Sequence, residues 1–447
     1  MRMAHVRVLM AEQEYGAALK EVDRTCKSED DALCLLERGL LLHYTGNYDE
    51  SNQVFDRAEI LVEDLYTKSL SREAAAFITS DLAREYVPRP FEQVLINYFR
   101  ALNYVFLGLD EDALVECRKA SDKLARYSED AKRPYRQDAF LEYLTGILYE
   151  WGGETNSAFI SYRNAREAYR TYAGVFGVTV PRDLPCDVLR TAEALGFAAE
   201  IDSVSPEAQR PCWALSAAND SAGDASAPGL PGPDRAKIVV LIEQGFVPAR
   251  QEMSLNVPIL KSERDYARDD PFGFSLGLAP RMYHGYYDAD DIDYFLRIAL
   301  PYYPDLPPVY RAPDLYIDSL LAEPAEAEDV FAIARAELEA DMPIIFARTL
   351  ARAVVKYQVT NAARHRWGEI FGKLVNFATA ATEQADLRAW LSLPRAIYIA
   401  VIYAEPGPHT LAIAATSHGS AGGLEDFQEI QLETKPGSTN FVRFRQY

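Results

Sequence analysis

The feature that most constrains this chain is an internal repeat in its N-terminal part. Gly39, Gly46, Ser51, Phe55 and Ala58 stand at offsets of 7, 12, 16 and 19 from the first of them. The same offsets recover Ala101, Gly108, Ala113, Cys117 and Ala120, and again Gly146, Gly153, Ala158, Tyr162 and Ala165. A glycine separates two helical runs in YTGNYDES, FLGLDEDA and WGGETNSA. Such a glycine ends the first helix in a left-handed cap, and the polar residue after it opens the second. Small residues at the other offsets let paired helices approach closely, and the fourth position fills the gap beside them. Tyr15 and Ala18 stand as Tyr48 and Ser51 do, so residues 13–25 read as the second helix of a further, truncated unit.

The pattern resembles the tetratricopeptide repeat, a stack of antiparallel helix pairs. Ser51 to Ala113 is 62 residues and Ala113 to Ala158 is 45, both longer than the ~34 of an uninterrupted array, so insertions lie between units. In such arrays the first helix of each unit forms a concave wall. Here the wall positions are Leu33, Leu36, Leu40 and His43, then Leu95, Tyr98, Leu102 and Val105, then Phe140, Tyr143, Ile147 and Glu150. A wall this apolar requires a cover. Leu36, Leu40, His43, Tyr98, Leu102, Val105, Phe140, Tyr143 and Ile147 are the candidate partner-binding residues. The plainer cover is the protein's own insertions, which lie beside the wall, and its C-terminal domain.

Residues 203–235 change in character to ALSAANDSAGDASAPGLPGPDR, a linker by composition. Beyond it the pattern turns to strands. AKIVVLIEQGF (236–246) and FLRIALPYY (295–303) read as strands, and RAIYIAVIYAEPGPHTLAIAATS (395–417) as a hairpin turning at Glu405 to Pro408. FQEIQLE and NFVRFRQ add two more, and helices are expected at about 325–357 and 361–384. The fold class is therefore α+β: all-α tetratricopeptide-like repeats over 1–202, a flexible linker over 203–235, and a C-terminal domain over 236–447 with an antiparallel sheet and helices.

Composition narrows the function. The 447 residues carry Lys+Arg 46 against Asp+Glu 67, a net charge of -21, which opposes a dedicated nucleic-acid role. No apolar run is long enough for a spanning helix, and MRMAHVRVLMAEQEY is broken by His5 and Arg7 and does not read as a signal peptide. The five cysteines, Cys26, Cys34, Cys117, Cys186 and Cys212, form no zinc spacing, and their odd number leaves at least one thiol unpaired within the chain. No cofactor and no metal are expected.

Three short motifs are candidates for chemistry. Gly273, Ser275 and Gly277 fit G-x-S-x-G, the turn of a serine hydrolase, with His365, His409, His418, Asp341 and Asp386 as conceivable partners. No buried strand precedes the motif, and Pro280 stands where the following helix should run. Asp288, Asp290, Asp291 and Asp293 suggest a calcium loop, but the sixth and twelfth positions are Asp293 and Ala299, so a solvated acidic turn fits better. In QADLRAWLSLP, Asp386, Arg388 and Trp390 form a possible ligand-binding group. The alternative is that Asp386 and Arg388 pin a loop while Trp390 packs into the core.

Several long runs, LLLHYTGNYDESNQVFDRAEILVEDLYTKSLSREAAAFIT, FEQVLINYFRALNYVFLGLDEDALVECRKASDKL, KIVVLIEQGFVPARQE and ATEQADLRAWLSLPRAIYIAVIY, resemble a bacterial cell-envelope family of lipoprotein type. That resemblance implies an N-terminal lipoprotein signal, helical repeats and this C-terminal domain. It also implies company with curli-secretion-like or penicillin-binding-protein-activator-like lipoproteins, and it brings no catalytic residue with it. The signal and its lipid-bearing cysteine are absent from this start, which leaves an upstream start or a member that is not exported. The truncated first unit favours the former. The expectation is a non-enzymatic interaction scaffold serving assembly or secretion in the envelope, with protein partners that include envelope lipoproteins. A serine hydrolase using Ser275 and a cytosolic regulatory scaffold are the alternatives.

Overall fold

In the computed structural model the described residues are 2–26, 28, 31–76, 85–129, 134–208, 234–260, 292–367, 384–416 and 424–447. The N-terminal part is five helix pairs: α1 (Arg2–Ala11) with α2 (Tyr15–Thr25), α3 (Ala32–Tyr44) with α4 (Tyr48–Ala76), α5 (Pro90–Leu107) with α6 (Asp110–Glu129), α7 (Ala139–Trp151) with α8 (Thr155–Val175), and α9 (Leu184–Leu195) with α10 (Ala198–Val204). The lone second helix expected from the sequence for the first unit is corrected by the structure. Its own first helix α1 packs on α2, and the left-handed cap is Gln13 at φ 60° where the other units use Gly46, Gly108, Gly153 and Gly196.

The repeat pattern has a direct steric cause. A Cβ added at Gly39 would lie 2.6 Å from Cε1 of Phe55, and one at Gly146 would collide with the ring of Tyr162. Where the first position is Ala101 the fourth shrinks to Cys117, which is buried and unpaired. The first and fourth positions thus share one volume, and a larger group on one side needs a smaller one on the other.

The C-terminal part forms β1 (Ala236–Gln244), β2 (Gln251–Leu260), β3 (Ile292–Tyr302), β4 (Asp314–Ile317), β5 (Leu320–Ala322), β6 (Ala325–Asp329), α11 (Val330–Trp367), β7 (Ala396–Ala404), β8 (Gly407–Thr416), β9 (Leu424–Thr434) and β10 (Thr439–Gln446). One sheet has the order β10-β1-β7-β6, a second β5-β4-β8-β9, and β2 pairs with β3. The expected antiparallel pairing is present in two four-stranded sheets and the two-stranded β2-β3 sheet, with β1 and β10 the one parallel pair among the described residues. Three expectations are corrected here. β7 and β8 are not a hairpin, because β7 pairs with β1 and β6 while β8 pairs with β4 and β9. The helix expected from 325 begins at Val330, after β6. That helix runs unbroken to Trp367 through the start of the second expected helix, whose remaining positions 368–383 lie outside the described residues.

β1 and β7 are buried along their whole length, which explains their unbroken apolar runs. Val239, Leu241, Ile397, Ile399 and Val401 join the core of the helical array. Ile238, Val240, Ile242, Tyr398, Ala400 and Ile402 pack on Leu315, Ile317, Leu411 and Ile413 of the second sheet. The molecule is layered as helical array, first sheet, second sheet. The helical layer and the first sheet share one continuous core.

Candidate functional site: the inner wall of the helical array

The wall is lined by α3, α5 and α7, whose apolar residues recur at helical spacing. Leu36, Leu40, His43, Tyr98, Tyr143 and Ile147 are fully buried, Leu102 likewise, and Phe140 and Val105 are 2% and 6% exposed. These residues were candidates for an external partner. In the folded chain the wall shares one core with the first sheet and with Trp390 and Leu393 of a strap at residues 384–395: Tyr98 reaches Glu243, while His43 sits within the array on Asn103 and the rings of Tyr48 and Phe99.

The strap is held as an extended peptide ligand would be. The backbone N–H of Trp390 donates to Glu92 on α5 at 2.8 Å, and that of Leu391 donates to Glu37 on α3 at 2.7 Å. Arg7 on α1 donates to the carbonyl of Leu391 at 2.7 Å and also to the carbonyl of Val247. Arg250 donates to the carbonyl of Arg388 at 2.9 Å. The Trp390 indole is 1% exposed, with its ring 5.9 Å from those of both Phe55 and Phe99, and its Nε1 donates to Ser392. The wall thus pairs the strap's main chain with charged side chains and its one large side chain with an aromatic slot. Asp386 and Arg388 form an ion pair with each other at 2.8 Å. They pin the strap, and Trp390 is core, so the structure brings these three together as a structural unit.

Charged residues on the array-facing side of the first sheet complete the closure. Glu243 accepts from the hydroxyls of Tyr44 at 2.8 Å and Tyr98 at 3.1 Å. Burial and the nearby Glu243 carboxylate push both phenols well above their ordinary range, so they remain donors. Lys237 Nζ lies 2.8 Å from Glu150, 3.4 Å from Asp187 and 3.2 Å from the Tyr162 hydroxyl. Burial works to raise Glu150, but Lys237 and Arg190 prevail and hold it down at about 2. Asp187 also accepts from Tyr143 at 2.8 Å, and Asp183 accepts from the backbone of Val401 at 2.9 Å. Tyr169 donates to the carbonyl of Ala327 on β6.

In several carboxyls of this interface burial outweighs the groups that oppose it. It raises Glu37 to about 7 against hydrogen bonds from Ser392 and Leu391 and the charge of Arg7, and Asp183 to about 7 against the Val401 N–H and the charges of Arg182 and Lys237. Glu328 on β6 is pushed well up by burial and by Asp138, the residue capping α7.

Lys237, Glu243, Asp187, Glu37, Glu92 and Arg7 were not singled out from the sequence. One signal was available: Lys237 and Glu243 punctuate an otherwise apolar strand at positions of the same face. The G-x-S-x-G motif with Ser275, the residues from Asp288 to Asp291 and His418 lie outside the described residues. His409 pairs with Asp318 at 2.6 Å on β8. Among the described residues no group of His, Cys, Asp and Glu has a metal-holding arrangement, and no helix is long and apolar enough to cross a membrane.

No protein-family model matches this chain, and no curated protein matches it. Among solved structures, MamA is similar at 13% identity and TM-score 0.31, covering 45% of this chain and 91% of MamA. BtubC (BKLC) from P. vanneervenii is similar at 14% identity and TM-score 0.30, covering 51% of this chain and 81% of that one. A putative kinesin light chain with nearly identical TPR-like repeats from Podosopora anserina is similar at 11% and 0.31, covering 49% and 96%. The five stacked helix pairs with their shared caps are themselves tetratricopeptide-like repeats, and these likenesses extend over about half of the chain.

Proposed function

We propose that this protein is a non-enzymatic interaction scaffold, an accessory to assembly or secretion in the bacterial cell envelope. The observation that carries the scaffold reading is the closure of the helical array on its own strap and sheet. Binding chemistry that an open array spends on a partner is spent here on holding two halves as one body, which presents its outer surfaces in a fixed relation. Because those surfaces are preformed, a partner alone bears the ordering cost, and the net charge of -21 favours basic partners for most of the surface. Partner capture by the inner wall itself would first require the strap to leave.

The envelope location is supported by the sequence resemblance and by Cys26 and Cys34. These form a disulfide across the connection from α2 to α3, with Cα atoms 5.8 Å apart, and Cys186 is disulfide-bonded as well. Structural disulfides persist in oxidising compartments and are rare in the cytosol. Protein partners, envelope lipoproteins among them, are the class this reading implies.

The test is cell fractionation with mass spectrometry of the endogenous protein, reading its N-terminus, any lipid and the state of Cys26 and Cys34, after in-cell cross-linking. An oxidised protein in the envelope fraction, cross-linked to other envelope proteins, is the expected result. A reduced protein in the cytosolic fraction would exclude the envelope reading and leave a cytosolic scaffold. Absence of any cross-linked protein would remove the scaffold reading.

A further inference from the structure

The first sheet ends on one side in β10, which pairs only with β1, in parallel and without a register shift over eight residues. Carbonyls of Ser438 and Gln446 accept from the β1 side. By strand alternation, the N–H and C=O groups of Thr439, Phe441 and Arg443 point away from β1, to the outer edge. The outermost of these positions on the C-terminal side, Arg445, already has its carbonyl taken by the Gln428 side chain. Thr439, Phe441 and Arg443 are half-buried, and no strand lies beyond them among the described residues.

The other edges of the two four-stranded sheets are blunted in the ways that suppress strand addition. β6 carries a bulge between Glu326 and Glu328, and Tyr169 covers its Ala327 carbonyl. β5 has three residues. β9 pairs through a bulge and carries Glu429 and Glu433. On β10 only the Arg445 carbonyl is covered, by Gln428, and the stretch from Thr439 to Arg443 has no bulge and no acid.

Charge indicates what the open edge takes. In a chain of net charge -21, β10 carries Arg443 and Arg445 and no acid. Arg445 donates to the carbonyls of Glu243 and Gly245. Arg443 instead rests on the rings of Tyr44 at 4.9 Å and Phe106 at 5.9 Å, with a buried Nη1 that has no hydrogen-bond partner. A carboxylate arriving on the same face of an adjacent strand is the group this guanidinium lacks.

We propose that the β10 edge at Thr439, Phe441 and Arg443 is a docking site for an extended acidic segment of a protein partner, added as a further strand with a carboxylate on Arg443. This rests on the scaffold reading and gives it a local exception to the basic partners favoured elsewhere on the surface. The probe is a fluorescent heptapeptide alternating Val and Glu, titrated into the full chain and followed by anisotropy. A Val and Lys counterpart and a copy with every backbone N–H methylated serve as comparisons. Saturable binding of the acidic peptide alone is expected, weakened about tenfold by Arg443→Gln. It should be abolished by Thr439→Pro, which removes only an outward N–H and leaves thermal unfolding unchanged. The proposal is overturned if the acidic peptide does not bind, if the methylated or Lys peptide binds equally, or if Arg443→Gln has no effect. A dimer lost on Thr439→Pro would also overturn it, making a second copy the occupant. In-cell cross-links that persist in Thr439→Pro would sink the edge while sparing the scaffold reading, whereas a wild type without cross-links would sink that reading itself.

Discussion

Glu92 joins two structures that lie 298 residues apart in sequence: one carboxylate oxygen accepts the backbone N–H of Trp390 at 2.8 Å, while the other accepts the N–H of Arg89 at 2.7 Å and the Tyr86 hydroxyl at 2.6 Å. The same side chain that starts α5 therefore also seats the strap. Formation of the helix end and closure of the wall are coupled through it.

Trp390→Ala should lower the unfolding free energy by about 3–5 kcal/mol, the range for emptying a large aromatic from a packed core. The indole sits between Phe55 and Phe99 with nothing else to fill its volume. Urea unfolding followed by far-UV circular dichroism measures this, and a loss below 1 kcal/mol would place the ring outside the core.

Lys237→Ala removes one of the two cations that Glu150 and Asp187 share and leaves them to Arg190, 2.6 Å from Glu150 and 2.8 Å from Asp187. A cost of about 1–3 kcal/mol is expected for taking one partner from these buried groups. Glu150→Gln in the same background should recover part of it, a non-additivity that a double-mutant cycle reads directly.

Gly39→Ala is expected to destabilise by about 1–3 kcal/mol, because the new methyl would press on Phe55. Combining it with Phe55→Leu should cost less than the sum of the two single changes. Simple additivity in thermal unfolding would show that the two positions do not share a volume.

Stability should fall as pH rises from about 4.5 to about 7. Glu37 and Asp183 keep a proton to about 7 in the folded chain, whereas ordinary carboxyls have released theirs by then in the unfolded chain. In that window the folded state binds more protons, so unfolding becomes easier with rising pH and the contribution is flat above it. Glu150 acts oppositely, since its depressed value gives stability that is present above about 4.5 and lost as pH falls toward 2. Urea midpoints at pH 5, 6, 7 and 8 measure the first effect, and Glu37→Gln should flatten the slope.

The repeats were legible because their cause is local. Gly39 against Phe55 and Gly146 against Tyr162 are contacts within one helix pair, so a fixed spacing records them. The first unit was partly hidden because Gln13 replaces the capping glycine, and the fifth because Leu189 and Ile201 stand where small residues recur. The strands of the second half were visible as apolar runs, but their pairing was not. β7 and β8 read as a hairpin because they are consecutive, and only burial of β7 on both faces sends them to different sheets. The wall was legible as an apolar surface needing cover. The C-terminal domain was among the covers expected, but the residues that seat it were not legible, since Glu92 with Trp390 and Tyr44 with Glu243 are long-range pairs that leave no periodic trace.

Hydrogen exchange of the intact protein, read by mass spectrometry over the strap and over α3 and α5, tests the closed wall most directly. The amides of Trp390 and Leu391 are bonded to Glu92 and Glu37, so they should exchange only with the slow, common opening of those two helices. Fast exchange at Trp390 and Leu391 beside protected helices would contradict the closure of the array on its own chain.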